Sequence, residues 1–230
     1  PIFRNGRLIA FSATTAHVPD IGGKIRSPEP REVFEEGLQI PPMKMMAAGK
    51  TDETLVALIR KNVRTPDQTM GDLYAQIVAL DLMEDRLLVL MENYGLPDLT
   101  DLAREIQGRC EAAMRAAIRE LPDGTYHSEL KTDGIMDRPI TIRMALTIKG
   151  DEILIDFAGT DAQVDRAINC AMCYTNAMCM YGVKVCTNSN LPNNEGAWRP
   201  ITLTAPPGCI VNPQFPAPGG SRMLIGHYIP

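Results

Sequence analysis

Between residues 51 and 157 the apolar positions change their spacing once, from steps of three and four to steps of two. An all-helical fold and an all-strand fold are both excluded by that change, because the two periods bury one face of a helix and one face of a sheet respectively. Thr51 or Asp52 can cap a helix running to about Val63, and Pro66-Asp67 opens a second with Leu73, Ile77, Leu80 and Leu87 on its apolar side. A third starts near Pro97-Asp98, carries Leu99, Leu102, Ile106, Cys110, Met114, Ala117 and Leu121 on one stripe, and ends at Pro122-Asp123-Gly124. From Thr125 the period is two. Ile140, Ile142, Met144, Leu146 and Ile148 alternate with Thr141, Arg143, Ala145 and Thr147, and a Lys149-Gly150-Asp151-Glu152 turn leads into Ile153–Phe157.

The flanks are simpler. Two apolar runs around Asn5-Gly6 predict an opening β-hairpin. Residues 163–186, rich in Ala, Cys and Met, predict a buried helix, and Ile201–Thr204 a strand within a Pro/Asn/Gly-punctuated region. The resulting architecture is α+β: β-hairpins and a mixed sheet with an inserted block of about three helices. It divides into a hairpin and loop region over 1–50, a helical block over 51–121 packed on the sheet, and a β-rich region with a buried helix over 122–230.

Composition narrows the function. Lys+Arg total 23 against 28 Asp+Glu, a net charge of -5 with the basic residues scattered, so neither nucleic acid nor an anionic membrane has an electrostatic footprint to bind. The first thirty residues lack the basic, apolar and cleavage regions of a signal peptide, and the longest uncharged stretch, Ala167–Val183, is shorter than a bilayer span. Six cysteines in 230 residues are too sparse for a disulfide scaffold and fit a reduced, cytoplasmic protein.

Several chemistries lack their residues. Gly22-Gly23-Lys24 is not a P-loop, no G-x-G-x-x-G follows a strand, and Gly219-Gly220-Ser221-Arg222 is not a nucleophile elbow. Cys170-x2-Cys173, with Cys179 and Cys186, has the count of a zinc cluster but lies among Ala, Met and Tyr, where thiols serve as small hydrophobes. His17-x-x-Asp20, followed by Gly22-Gly23, can share a divalent cation, or the carboxylate can orient the ring; a hydrogen-bonded loop histidine is the plain alternative. His127 and His227 have no comparable neighbours and read as structural. Glu195 and Arg199, bounded by Pro192 and Pro200, can serve as acid/base and anion clamp or simply as a salt bridge.

Taken in order, Ala16–Gly23, Glu36–Pro42, Asn62–Pro66, Leu121–Tyr126, Asp156–Asp161 and Pro192–Gly196 through Arg199-Pro200 resemble the hydantoinase B/oxoprolinase family. That resemblance implies an interior fragment of a longer, metal-bearing subunit, paired in a hetero-oligomer with a hydantoinase A-type subunit that binds ATP. The paired enzyme hydrolyses a cyclic amide such as a hydantoin, oxoproline or lactam after its carbonyl oxygen is phosphorylated in the partner. Ketone carboxylases form a second branch of the family, and a non-catalytic structural or zinc-binding module is the rival from another class. The resemblance further implies a zinc or manganese ion held by His17 and by a T-H-L-P-D-like motif expected upstream of Pro1. Asp20 then stands behind the ligand or in the pocket wall, with Glu195 and Arg199 as the other catalytic candidates.

Overall fold

The structure is a computed structural model that describes residues 1–135 and 138–230. The chain forms two compact units, each drawn from two segments: Pro1–Ile25 with Glu36–Ala103, and Arg26–Glu35 with Arg104–Pro230. The expected α+β class and mixed sheet are present.

The first unit opens on an antiparallel hairpin of β1 (Ile2–Arg4) and β2 (Arg7–Ala10). Asn5 and Gly6 both take positive φ, 52° and 75°, the backbone that a two-residue turn needs to match strand twist. A shorter hairpin follows, β3 (Met46–Ala47) with β4 (Lys50–Thr51). Asp52 caps α1 (Glu53–Asn62), its carboxylate accepting the N–H groups of Thr54 and Leu55 at 3.0 Å each. The residue before a proline is pushed out of helical geometry, and the chain breaks over Val63–Thr65 before Pro66 starts α2 (Pro66–Asn93). Leu55, Val56, Ile59, Val63 and Met70 close a small core between the two helices.

The second unit is built on a four-stranded sheet. β5 (Gly124–Ile135), β6 (Arg138–Lys149) and β7 (Glu152–Asp156) run antiparallel, and β8 (Ile201–Thr204) pairs parallel to β7 with Ile153 opposite Ile201. The parallel pair requires a crossover, and α4 (Met172–Thr187) lies within it. One sheet face, with Ile140, Ile142, Ile148, Ile153 and Ile155, packs against Cys110, Met114 and Ile118 of α3 (Thr100–Arg119) and Cys179 and Val183 of α4. The three helices of the 51–121 region thus serve two cores, α1 and α2 one and the Arg104–Arg119 part of α3 the other.

The helix expected within the 163–186 stretch is α4, which begins at Met172. Upstream, buried Asn169 satisfies the irregular backbone instead: its Nδ2 donates to the carbonyls of Val164, Arg166 and Pro218, and its Oδ1 accepts from Val164 N–H. The segment Arg26–Glu35 is stitched into this unit by Ala167 N–H to Pro28 O, by Val33 N–H to Pro216 O, and by an edge-to-face contact of Phe34 with Phe215 at 5.5 Å. No described helix is long and apolar enough to cross a membrane.

Candidate functional site

His17 lies on an irregular loop after β2 and is exposed. Three residues on, Asp20 is only 3% exposed, and its carboxylate is engaged on both oxygens. Oδ1 accepts the Gly22 N–H at 2.8 Å and Arg64 Nη1 at 3.0 Å; Oδ2 accepts the Arg64 backbone N–H. Arg64 Nη2 donates onward to the Gly23 carbonyl at 2.7 Å, and Thr69 Oγ1 donates to the Asp20 carbonyl. The Arg64 backbone N–H is the main reason that the Asp20 carboxyl sits below its ordinary value, against the opposing effect of burial. The carboxylate is therefore ionised, with three donors engaging it.

Two glycines make the close seating possible. At Gly22 (φ +83°) a Cβ would stand 2.8 Å from the Asn62 carbonyl oxygen, and at Gly37 (φ +135°) 2.6 Å from the Ile21 carbonyl oxygen. Leu38 N–H donates to that same Ile21 carbonyl at 2.8 Å. The motif segments Ala16–Gly23, Glu36–Pro42 and Asn62–Pro66, scattered in sequence, thus meet around one loop. Nothing in local spacing marks Arg64 as the partner of Asp20; the two are 44 residues apart.

Glu195 and Arg199 belong to the second unit, on a one-turn helix α5 (Glu195–Trp198) and its C-cap. They form a long ion pair, Arg199 Nη2 to Glu195 Oε1 at 3.8 Å. Arg199 lies nearer to α3, with Nη1 3.1 Å from Glu111 Oε2 and Nη2 2.9 Å from Gln107 Oε1. Arg199, and after it Arg115, hold the Glu111 carboxyl below the usual range. Gly196 is required at the same contact, since a Cβ would fall 1.9 Å from the Gln107 carbonyl oxygen. Asn194 Nδ2 also faces Cys110 Sγ at 2.9 Å. The Asn-Asn-Glu-Gly motif is a docking turn on α3. Its Glu195 carboxylate, 73% exposed, borders a hollow of about 530 Å³ lined by Cys173, Asn176, Trp198 and Thr202.

Of the thiols, Cys110 meets Asn194 and Cys173 lines the hollow beside Glu195. Burial pushes Cys170 up to about 11 and Cys179 up to about 12, so neither ionises near neutrality, while Cys173 and Cys186 are exposed. Among the described residues no group of three or more His, Cys, Asp or Glu side chains is placed to hold a metal ion. His17 offers one imidazole and Asp20 is occupied by Arg64, so these residues do not fit a complete metal centre.

Comparison with known proteins extends the motif matches. The hydantoinase B/oxoprolinase family matches the chain over residues 1–230. A protein from Pseudomonas sp. strain NS671, described as a putative D-/L-hydantoinase component of the B type, is 32% identical, covering 100% of this chain and 42% of its own length. The crystal structure of the ATP-dependent caprolactamase from Pseudomonas jessenii superimposes with a TM-score of 0.82 at 30% identity, over 89% of this chain and 36% of that one. An acetone carboxylase in nucleotide-free form shares the fold, with a TM-score of 0.79 at 17% identity over 96% of this chain and 32% of that one. The chain covers 38–42% of the length of three curated relatives, the hydantoinase and a caprolactamase component among them, and 18–19% of the length of the 5-oxoprolinases it matches. By the match that runs through all its residues, the chain belongs to the hydantoinase B/oxoprolinase family.

Proposed function

We propose that this chain is part of the subunit that completes ring opening in an ATP-dependent cyclic-amide hydrolase, acting on a hydantoin, oxoproline or lactam. The observation that carries this reading is the superposition on the caprolactamase fold at 30% identity, together with the hydantoinase relative at 32%. Amide resonance makes a lactam carbonyl a poor electrophile. Phosphorylation of its oxygen makes the carbon electrophilic: water adds there, the ring C–N bond breaks with the nitrogen leaving as the protonated amine, and a second water releases phosphate from the resulting acyl phosphate. ATP is assigned to a separate subunit of hydantoinase A type, in keeping with the lack of a phosphate-cradling loop here.

In this reading His17 presents an imidazole at the exposed edge of its loop, as one ligand of a divalent cation, zinc or manganese, whose other donors lie outside these residues. Asp20 fixes that loop from within. Glu195, exposed beside a hollow, is the candidate proton carrier, and Arg199 holds the turn that bears it.

The deciding measurement uses the complete subunit assembled with its partner. ATP-dependent opening of a cyclic amide without bicarbonate supports the hydrolase; turnover of a ketone only with ATP and bicarbonate makes the chain part of a carboxylase instead. His17→Ala is expected to lower bound metal in that assembly, whereas loss of metal only on Cys170→Ala means a cysteine-held zinc module.

A further inference from the structure

We propose that Arg64 and Asp20 form a positioning pair that sets the conformation of the His17 loop, so that Asp20 acts on the reaction through the loop and not by touching substrate. This rests on the cyclic-amide reading above and assigns a role to Asn62-Val63-Arg64-Thr65-Pro66, a motif that the chemistry otherwise leaves unused.

Three observations carry it. First, Asp20 is 3% exposed, which keeps the carboxylate from solvent and from a substrate atom, and its two oxygens accept from Gly22 N–H, Arg64 N–H and Arg64 Nη1. Second, one arginine grips the loop at two places, the Asp20 carboxylate through Nη1 and the Gly23 carbonyl through Nη2. A guanidinium holds its donors in a rigid fork and can serve two separate acceptors at once, whereas a lysine ammonium is a single point charge on a flexible stem. Third, the backbone around the pair is closely seated, with Gly22 against Asn62 and Gly37 against Ile21, so loss of the grip cannot be made good by a small local shift. The loop from Phe11 to Gly23 has no strand or helix of its own; Thr14 Oγ1 ties its start to Gln76 Oε1 at 3.1 Å and Leu38 N–H donates to Ile21 O, while the Asp20–Arg64 clasp is the charged tie nearest His17. A group displaced by about 1 Å can cost about 100-fold in rate even when the displaced support lies away from the reacting atoms.

The test is made on the assembled enzyme with Arg64→Ala, Arg64→Lys, Asp20→Asn and the Asp20→Asn/Arg64→Ala double variant. Two readouts are followed: amide hydrogen exchange over residues 17–24, and kcat and KM for ATP-dependent ring opening. Arg64→Ala is expected to speed exchange in that segment and to lower kcat by about 10 to 100-fold with KM for ATP unchanged. Arg64→Lys should restore part of both, and the double variant should be no worse than Arg64→Ala, since both changes release the same clasp. The proposal is overturned if Arg64→Ala leaves loop exchange unchanged, or if Asp20→Asn abolishes turnover while Arg64→Ala spares it. Should Arg64→Ala fail to assemble, Arg64→Lys carries the same two readouts. An unaltered enzyme that opens no cyclic amide counts against the hydrolase reading alone, because loop exchange still decides whether the pair positions the loop.

Discussion

The two units hold their loops with a different balance of contacts. In the second, irregular segments lie on a continuous apolar core in which Phe157, Ile155 and Met114 are almost fully removed from water, with buried Asn169 as an added polar tie. In the first, the core between α1 and α2 is small, and the loop that carries His17 is held by a buried carboxylate, an arginine and glycines pressed against carbonyl oxygens. A loop anchored by area tolerates conservative change along its length, because burial energy is spread over many atoms. A loop anchored by directional bonds concentrates its dependence on a few residues. The contrast says where substitutions should be costly, and through which kind of contact.

The largest effect is expected in the second unit. Phe157→Ala should cost about 3–5 kcal/mol, read by denaturant unfolding monitored through Trp198, the chain's one tryptophan, which packs at the edge of that core. Asp20→Asn comes next, at about 1–3 kcal/mol, and its exchange signature should be confined to the first unit; protection lost equally in β6 and β7 would erase the contrast. Gly196→Ala forces a Cβ into the Gln107 backbone and should cost about 1–3 kcal/mol, seen in the Trp198 signal. Smallest is Arg115→Ala, which removes ion pairs to Glu111, Asp151 and Glu152 at the surface. Its small effect on thermal stability should fade in about 1 M salt.

The pH dependence sharpens the same comparison. Asp20 ionises below its ordinary value of 3.8, so its stabilisation is complete above that value and is lost as pH falls through the lowered folded-state pKa. The amide proton resonances of Gly22 and Arg64, which donate to that carboxylate, should titrate together below 3.8 and should not titrate in Asp20→Asn. Titration at or above 3.8 would mean that the clasp is not formed in solution.

How much of this could be read from the sequence follows from the range of each interaction. The Asn5-Gly6 turn, the helix cap at Thr51 or Asp52 and the β6–β7 alternation depend on neighbours within a few residues, and each stands where local pattern puts it; strand β8 also stands where its apolar run puts it, although its partner β7 lies 48 residues away. The start of α4 was not legible, because Asn169 draws its partners partly from Pro218, 49 residues away. The same holds at the candidate site. His17 and Asp20 announce themselves as a spaced pair, but the group that engages Asp20 comes from the α1–α2 break, and Arg199's partners come from α3. Local spacing proposes which residues matter; it cannot say which of them are already taken.

The stitching of Arg26–Glu35 into the second unit has a consequence during synthesis. The first unit is complete once Ala103 has emerged, whereas residues 26–35 must wait for Ala167 and Pro216, their hydrogen-bonding partners. At about 5–20 residues per second, the roughly 180 residues separating Glu35 from Pro216 take about 10–40 s to translate. Throughout that interval Phe34 has no Phe215 to meet, and a ten-residue length of chain leaves the first unit and returns to it as an open loop on the nascent polypeptide.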